Sequence, residues 1–196
     1  MSRRLSATLL VPGGIEHLTG GNIYDGVMVE ALRNRGWQVD VAEEPRPGAD
    51  VVVQDSLAIA SGPPDGEAPL VALLHQMPSE ASARAELRST EDTVLQRSSL
   101  VIAVSEHIAR AASERTDAPV VVVTPGWDRA SAPQRNEEPV VLCVANATPV
   151  KGIPHAIAAF RDAGLDDARF TLVGDVQRDP AESERIRAAS SALRPA

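Results

Sequence analysis

Short apolar runs recur along the chain, most of them spaced widely enough for a helix to fit between. They lie at 7–11, 37–41, 50–53, 69–75, 100–104 and 120–123. Most are continuous in Val, Leu, Ile and Ala and do not alternate with polar residues. A strand of that kind is buried on both faces, as in a parallel sheet clad by helices. The intervening segments supply the helices. Residues 22–35 place Tyr24, Val27, Met28, Ala31 and Leu32 at helical spacing, with Asn22 as cap and Gly36 as stop. Residues 79–97 read as a long polar helix, and 105–114 as a helix capped by Ser105. The expectation is an α/β fold, a doubly wound parallel sheet with right-handed crossovers.

The alternation breaks at 124–139, TPGWDRASAPQRNEEP, which has three prolines and no apolar period. It reads as an interdomain linker. A second α/β unit follows: a strand at 140–144, a polar loop at 145–152, a helix from about Pro154, a strand at 170–173 and a helix from about Ala181. The expected division is an N-terminal domain at 1–124, a linker at 125–139 and a partial second domain at 140–196.

Charge and cysteine content narrow the function classes. A formal charge of −8 argues against a general nucleic-acid or anionic-membrane binder. Cys143, the single cysteine, has no internal disulfide partner and lies in an apolar strand, which suits an inert core residue. The apolar run near the start is too short for a signal peptide or a membrane span, so a cytoplasmic location and no transmembrane segment are expected. No sequence pattern suggests a metal site.

Four features carry candidate chemistry. Lys151 is the only lysine among 19 basic side chains and lies in a strand-to-helix loop. That is where free backbone N–H groups attract anions, and a compact ammonium suits a phosphate oxygen. The loop 12–21, PGGIEHLTGG, holds four glycines at the end of the first strand but matches neither the dinucleotide fingerprint nor a P-loop. His75 follows a buried strand, where it could hydrogen-bond a sugar hydroxyl or transfer a proton. His17 sits in the glycine loop and is less specific, while His107 and His155 lie at helix starts and suit capping or exposure. The acidic pairs Glu43–Glu44 and Glu137–Glu138 suit solvated loops.

Together the stretches LTGGNIYDGVMVEALRNRGWQVDV, VALLHQMP, LVIAVSEHIARAA with VVVTPGWD, and VLCVANATPVKGIPHAIAAF with FTLVGD resemble the retaining, nucleotide-sugar-dependent glycosyltransferases of family 4. That family has the GT-B fold of two facing Rossmann-like domains. The resemblance implies a complete N-terminal, acceptor-side domain and the start of a donor-binding domain. Lys151 would match the lysine that grips the donor diphosphate, with Gly152 beside it. Gly20 and Gly21 would match the first-loop glycines that approach donor phosphate or acceptor. His75 would match the histidine near the donor sugar, and Gly126 and Asp128 the hinge segment.

Two departures stand out. Asn146 occupies the place where the family usually has an arginine, so one positive charge is missing. The paired glutamates eight apart that hold the donor in the family are absent, and the expectation is therefore a fragment that is inactive alone. The implied function is transfer of a sugar from a nucleotide-diphosphate-sugar donor to an unknown acceptor hydroxyl. Configuration would be retained, and no metal or other cofactor is expected. A non-catalytic nucleotide or sugar-phosphate binding module is the alternative. A nicotinamide-dependent enzyme is disfavoured, because the G-x-G-x-x-G pattern is missing.

Overall fold

A computed structural model describes residues 3–17, 19–81, 86–126, 138–165 and 167–191. The chain divides into two compact units, Met1–Trp127 and Asp128–Ala196. Residues 127–137, most of the expected linker, lie outside the described residues, and so do Asp128 and Glu137.

The first unit is a doubly wound α/β domain of Rossmann-like type. Its six strands are β1 (Ser6–Leu10), β2 (Gln38–Ala42), β3 (Val51–Asp55), β4 (Leu70–Leu74), β5 (Leu100–Ala103) and β6 (Val120–Val122). They form one parallel sheet in the order β2-β1-β3-β4-β5-β6. The chain winds outward from β1 to β2, then returns past β1 and winds the other way from β3. The reversal opens a crevice at the carboxyl ends of β1 and β3, where sheets of this kind take ligands.

The two faces of the sheet are clad unequally. On one face a 3-10 turn (Ser56–Ser61), α3 (Leu87–Arg97) and α4 (Glu106–Ser113) pack on Leu10, Val52, Ala72, Leu74 and Val101. Glu91 of α3 is fully buried there. It accepts hydrogen bonds from the Ser79 backbone N–H and hydroxyl, each at 2.9 Å, and pairs with Arg115. On the other face α1 (Gly20–Asn34) lays Val29, Met28 and Leu32 over Leu9, Val11, Val39 and Leu73. Ile23, Val27, Val121 and Val123 stay exposed.

Several local expectations need correction. The α1 helix is capped by Thr19, whose hydroxyl accepts the Asn22 N–H at 3.1 Å, and not by Asn22. Gly20 and Gly21 are therefore the first turn of the helix, not loop. The long helix expected at 79–97 is instead α2 (Pro78–Ala81) and α3, with residues 82–85 outside the described residues. Ser105 does cap α4, accepting the Ile108 N–H at 3.3 Å.

In the second unit, β7 (Val140–Val144) and β8 (Arg169–Val173) form a two-stranded parallel sheet. Helices α5 (Ile153–Asp162) and α6 (Pro180–Ser191) pack on one side through Ile153, Ile157, Ile186, Phe170 and Leu172. Cys143 lies against this core, half-buried. The other side of the sheet carries Leu142, Val144 and Val173, which are exposed. No described helix is long and apolar enough to cross a membrane.

Candidate functional site

The site is built by three side chains at the carboxyl ends of the strands. His75 directly follows β4, Asp55 closes β3, and Asp25 lies in the second turn of α1. His75 Nε2 is 2.9 Å from Asp25 Oδ1 and 3.1 Å from Asp55 Oδ2. Asp25 is fully buried, and its Oδ2 has no hydrogen-bond partner among the described residues. Asp55 also caps the 3-10 turn, with Oδ1 accepting the Leu57 N–H at 2.6 Å. One carboxylate thus fixes the chain after β3 and holds the imidazole.

The packing around the ring explains two neighbouring residues. A Cβ on Gly21 would lie 3.3 Å from His75 Cδ2, so the missing side chain lets the ring sit against α1. The Tyr24 ring meets His75 edge-on, with centroids 5.3 Å apart and planes at 80°. The Tyr24 hydroxyl donates to the Val123 carbonyl at 3.1 Å, joining α1 to the chain after β6. Gly20 has open space where a Cβ would stand, and nothing in its contacts requires glycine.

Electrostatics decide the protonation state. Burial works against a charged His75 ring, but hydrogen bonds to Asp25 and Asp55, with their negative charge, outweigh it and raise its pKa to about 9. Burial raises the Asp25 carboxyl, the charge of Asp55 adds to this, and His75 opposes it. Burial likewise raises the Tyr24 hydroxyl, with the charge of Asp25 second. At neutral pH His75 is an imidazolium with Nε2–H shared between two acids. Among the described residues Nδ1–H has no hydrogen-bond partner. Such a ring donates a hydrogen bond; it does not act as a general base until the pH approaches its pKa.

His75 lines a cavity of about 570 Å³. Gly20, Gly21, Tyr24, Val27, Val104 and Val123 are among its walls, all within the first unit. That volume is in the range of small-ligand sites. A larger groove of about 1160 Å³ runs between the loops after β2 and after the 3-10 turn, lined by prolines with Glu43, Glu44, Asp65 and Glu67.

The other candidates fall out differently. The opening glycine loop is not free for an anion, because the Gly13 N–H donates to Glu43 Oε1 at 3.0 Å. Glu43 is therefore bound, not merely solvated as expected. In the second unit Lys151 is exposed at the end of a 3-10 turn (Pro149–Lys151). Gly152 is left-handed, φ +59°, and turns the chain into α5. Asn146 Oδ1 accepts the Asp175 N–H at 2.9 Å, and the Ala147 N–H donates to the Asp175 carbonyl at 2.9 Å. The loops after β7 and β8 are stitched together by these bonds, which leaves only the amide nitrogen of Asn146 for a ligand. Pro154 contributes no N–H to the first turn of α5, so Lys151 is the chief positive group there.

Asp25 and Asp55 were not singled out from the sequence. Asp55 ends an apolar strand, and Asp25 shares the inward helical face with Val29 and Leu32, positions where an acid needs a buried partner.

The fold and the cluster define a Rossmann-like α/β protein with a histidine clamped by two carboxylates at the strand ends. No protein-family model matches the chain, and no curated protein matches it.

Proposed function

We propose that the chain belongs to a GT-B glycosyltransferase that moves a sugar from a nucleotide-diphosphate-sugar donor to an acceptor hydroxyl, with retention. The observation that carries this reading is the Asp25–His75–Asp55 cluster at the strand ends, whose His75 lines a cavity of the first unit. In it His75 is a hydrogen-bond donor that positions a sugar or acceptor hydroxyl, rather than a proton acceptor. The donor diphosphate goes to Lys151 and Gly152 in the second unit, where the only lysine of the chain is exposed. Lys151 would stabilise the charge that develops as the sugar C1–O bond breaks, and no metal is needed for that role. The acceptor oxygen forms the new bond to C1, and its proton leaves on the departing diphosphate.

The cluster also divides the labour between the two units. Two carboxyl groups surround the single imidazolium, so the cluster brings no net positive charge to draw a phosphate. Gly20 and Gly21 therefore serve the hydroxyl-bearing partner, and Lys151 serves the diphosphate.

Calorimetric titration with uridine, guanosine and adenosine diphosphates tests the reading. One should bind saturably, and Lys151→Ala should weaken it by about 1.5 kcal/mol or more, the low end for a charge-assisted contact. Incubation with the matching nucleotide-sugar and an alcohol should yield a glycoside by mass spectrometry. Absence of diphosphate binding, or binding indifferent to Lys151, would sink the proposal. The alternative, a non-catalytic binding module, draws support from Asn146, whose carbonyl is committed to the Asp175 N–H and which brings no positive charge. Diphosphate binding without any product would favour it.

A further inference from the structure

We infer that the groove beside α1 seats an uncharged, amphipathic acceptor, with a hydroxyl at His75 and an apolar body along Ile23, Val27 and Val123. This rests on the sugar-transfer reading and adds the class of its acceptor.

The inference starts from the unequal cladding of the sheet. The α1 helix is the helix of the first unit that packs on this face, and no other described helix of that unit covers the ends of β5 and β6 beside it. Ile23 is 46% exposed, Val27 64% and Val123 46%, and all three line the cavity. Met28, Ala31 and Val104 continue the same wall. Polar side chains among the lining residues are few: His75, Thr124 and the hydroxyl of Tyr24, which is committed to the Val123 carbonyl. A cavity lined mostly by apolar side chains with a few polar groups fits a molecule of the same make-up.

Charge then fixes which polar head fits. The carboxyl groups of Asp25 and Asp55 offset the positive charge of the ring, so a carboxylate or phosphate finds no net attraction at His75. Both acids are buried and neither lines the cavity, whereas His75 does, and its imidazolium repels an ammonium. A hydroxyl oxygen accepts from Nδ1–H without bringing charge into the apolar groove. Tyr24 braces the arrangement, with its ring against His75 and its hydroxyl on the Val123 carbonyl.

The test uses the full chain and four probes: 1-octanol, glycerol, octanoate and octylammonium. Tyr24 is the only tyrosine, so its ring signals in NMR report the groove without ambiguity. Octanol should shift them saturably, glycerol should not, and the two charged probes should bind at least about fivefold more weakly. Val27→Asp, at an exposed position that leaves the fold intact, should weaken octanol about tenfold or more. Val27→Trp should do the same by filling the groove. Diphosphate binding at Lys151 should be unchanged in both variants.

A silent Tyr24, a shift that does not saturate, equal binding of octanoate, or octanol binding indifferent to Val27 would each overturn the inference. If another part of the chain covers the groove, Tyr24 stays silent and Val27→Asp lowers the unfolding midpoint, which also overturns it. Octanol binding in a chain that forms no glycoside would leave the groove standing and remove the transfer reading. Glycoside formation with a silent groove would do the reverse.

Discussion

The two units share an α/β plan and differ in how much of it is present among the described residues. In the first, β1 and β3 are central strands with a neighbour on each side, and Leu9, Leu73 and Leu74 are almost fully buried. In the second, β7 and β8 have only each other, and Val144 is 72% exposed in the middle of an apolar sequence. An apolar residue at the carboxyl end of a parallel strand is core in one place, Leu74, and surface in the other, Val144. Apolar pattern sets the strand; neighbouring strands and helices decide whether its side chains are buried.

This contrast extends to the chemistry. His75 is held by two acids, braced by Tyr24 and backed by a buried sheet, so its position is over-determined. Lys151 stands on a short 3-10 turn, and its position depends on Gly152 and on the stitched loops after β7 and β8. The first unit thus holds a preorganised hydrogen-bond donor, and the second a less constrained cation.

The sharpest way to break the contrast is to remove the imidazole. His75→Ala leaves Asp25 and Asp55 facing each other without their cation. It should cost about 3–5 kcal/mol in urea unfolding, the range for removing one partner of a buried ion pair. A loss below about 1 kcal/mol would mean that the cluster is not a preorganised element.

Next in size is the dependence on pH. The folded pKa of His75, about 9, lies above its ordinary value. Its contribution is therefore fully present below about pH 6.5 and is lost as pH rises through about 9, by about 3 kcal/mol in all. Burial raises Asp25, so the folded carboxyl holds a proton more readily than the unfolded one, and its contribution likewise falls as pH rises through its own titration. Urea midpoints from pH 6 to 10 check this, and His75→Gln should flatten the slope. Stability that rises over that range would contradict the sign.

The smallest effect sharpens the second half of the comparison. Val144→Lys, on the exposed side of β7, should change stability by less than about 0.5 kcal/mol. A loss of several kcal/mol would show that something covers that side of the sheet in solution.

Much of the first unit was legible in the sequence, because parallel strands and their crossover helices announce themselves by continuous apolar runs and helical spacing. His75 at a strand end was legible for the same reason. Its partners were not. Asp25 lies within helical reach of a cap by its spacing from Asn22, which hides its inward direction. Asp55 comes 20 residues before His75 in the chain, and only the β3–β4 pairing joins them. The assignment of Gly20 and Gly21 to a loop failed because Thr19 caps the helix one turn earlier than the apolar period suggests. Asn146 carries no sequence mark of its bond to Asp175, since that contact depends on β7 and β8 lying side by side.

The account depends most on an imidazolium pinned between Asp25 and Asp55, and ring NMR of the four histidines from pH 5 to 10 reads it directly. One ring, assigned by its loss in His75→Gln, should titrate near pH 9 and fall toward the ordinary range in Asp55→Asn. If His75 titrates between pH 6 and 7, the clamp does not hold, and the protonated donor lining the cavity is lost with it.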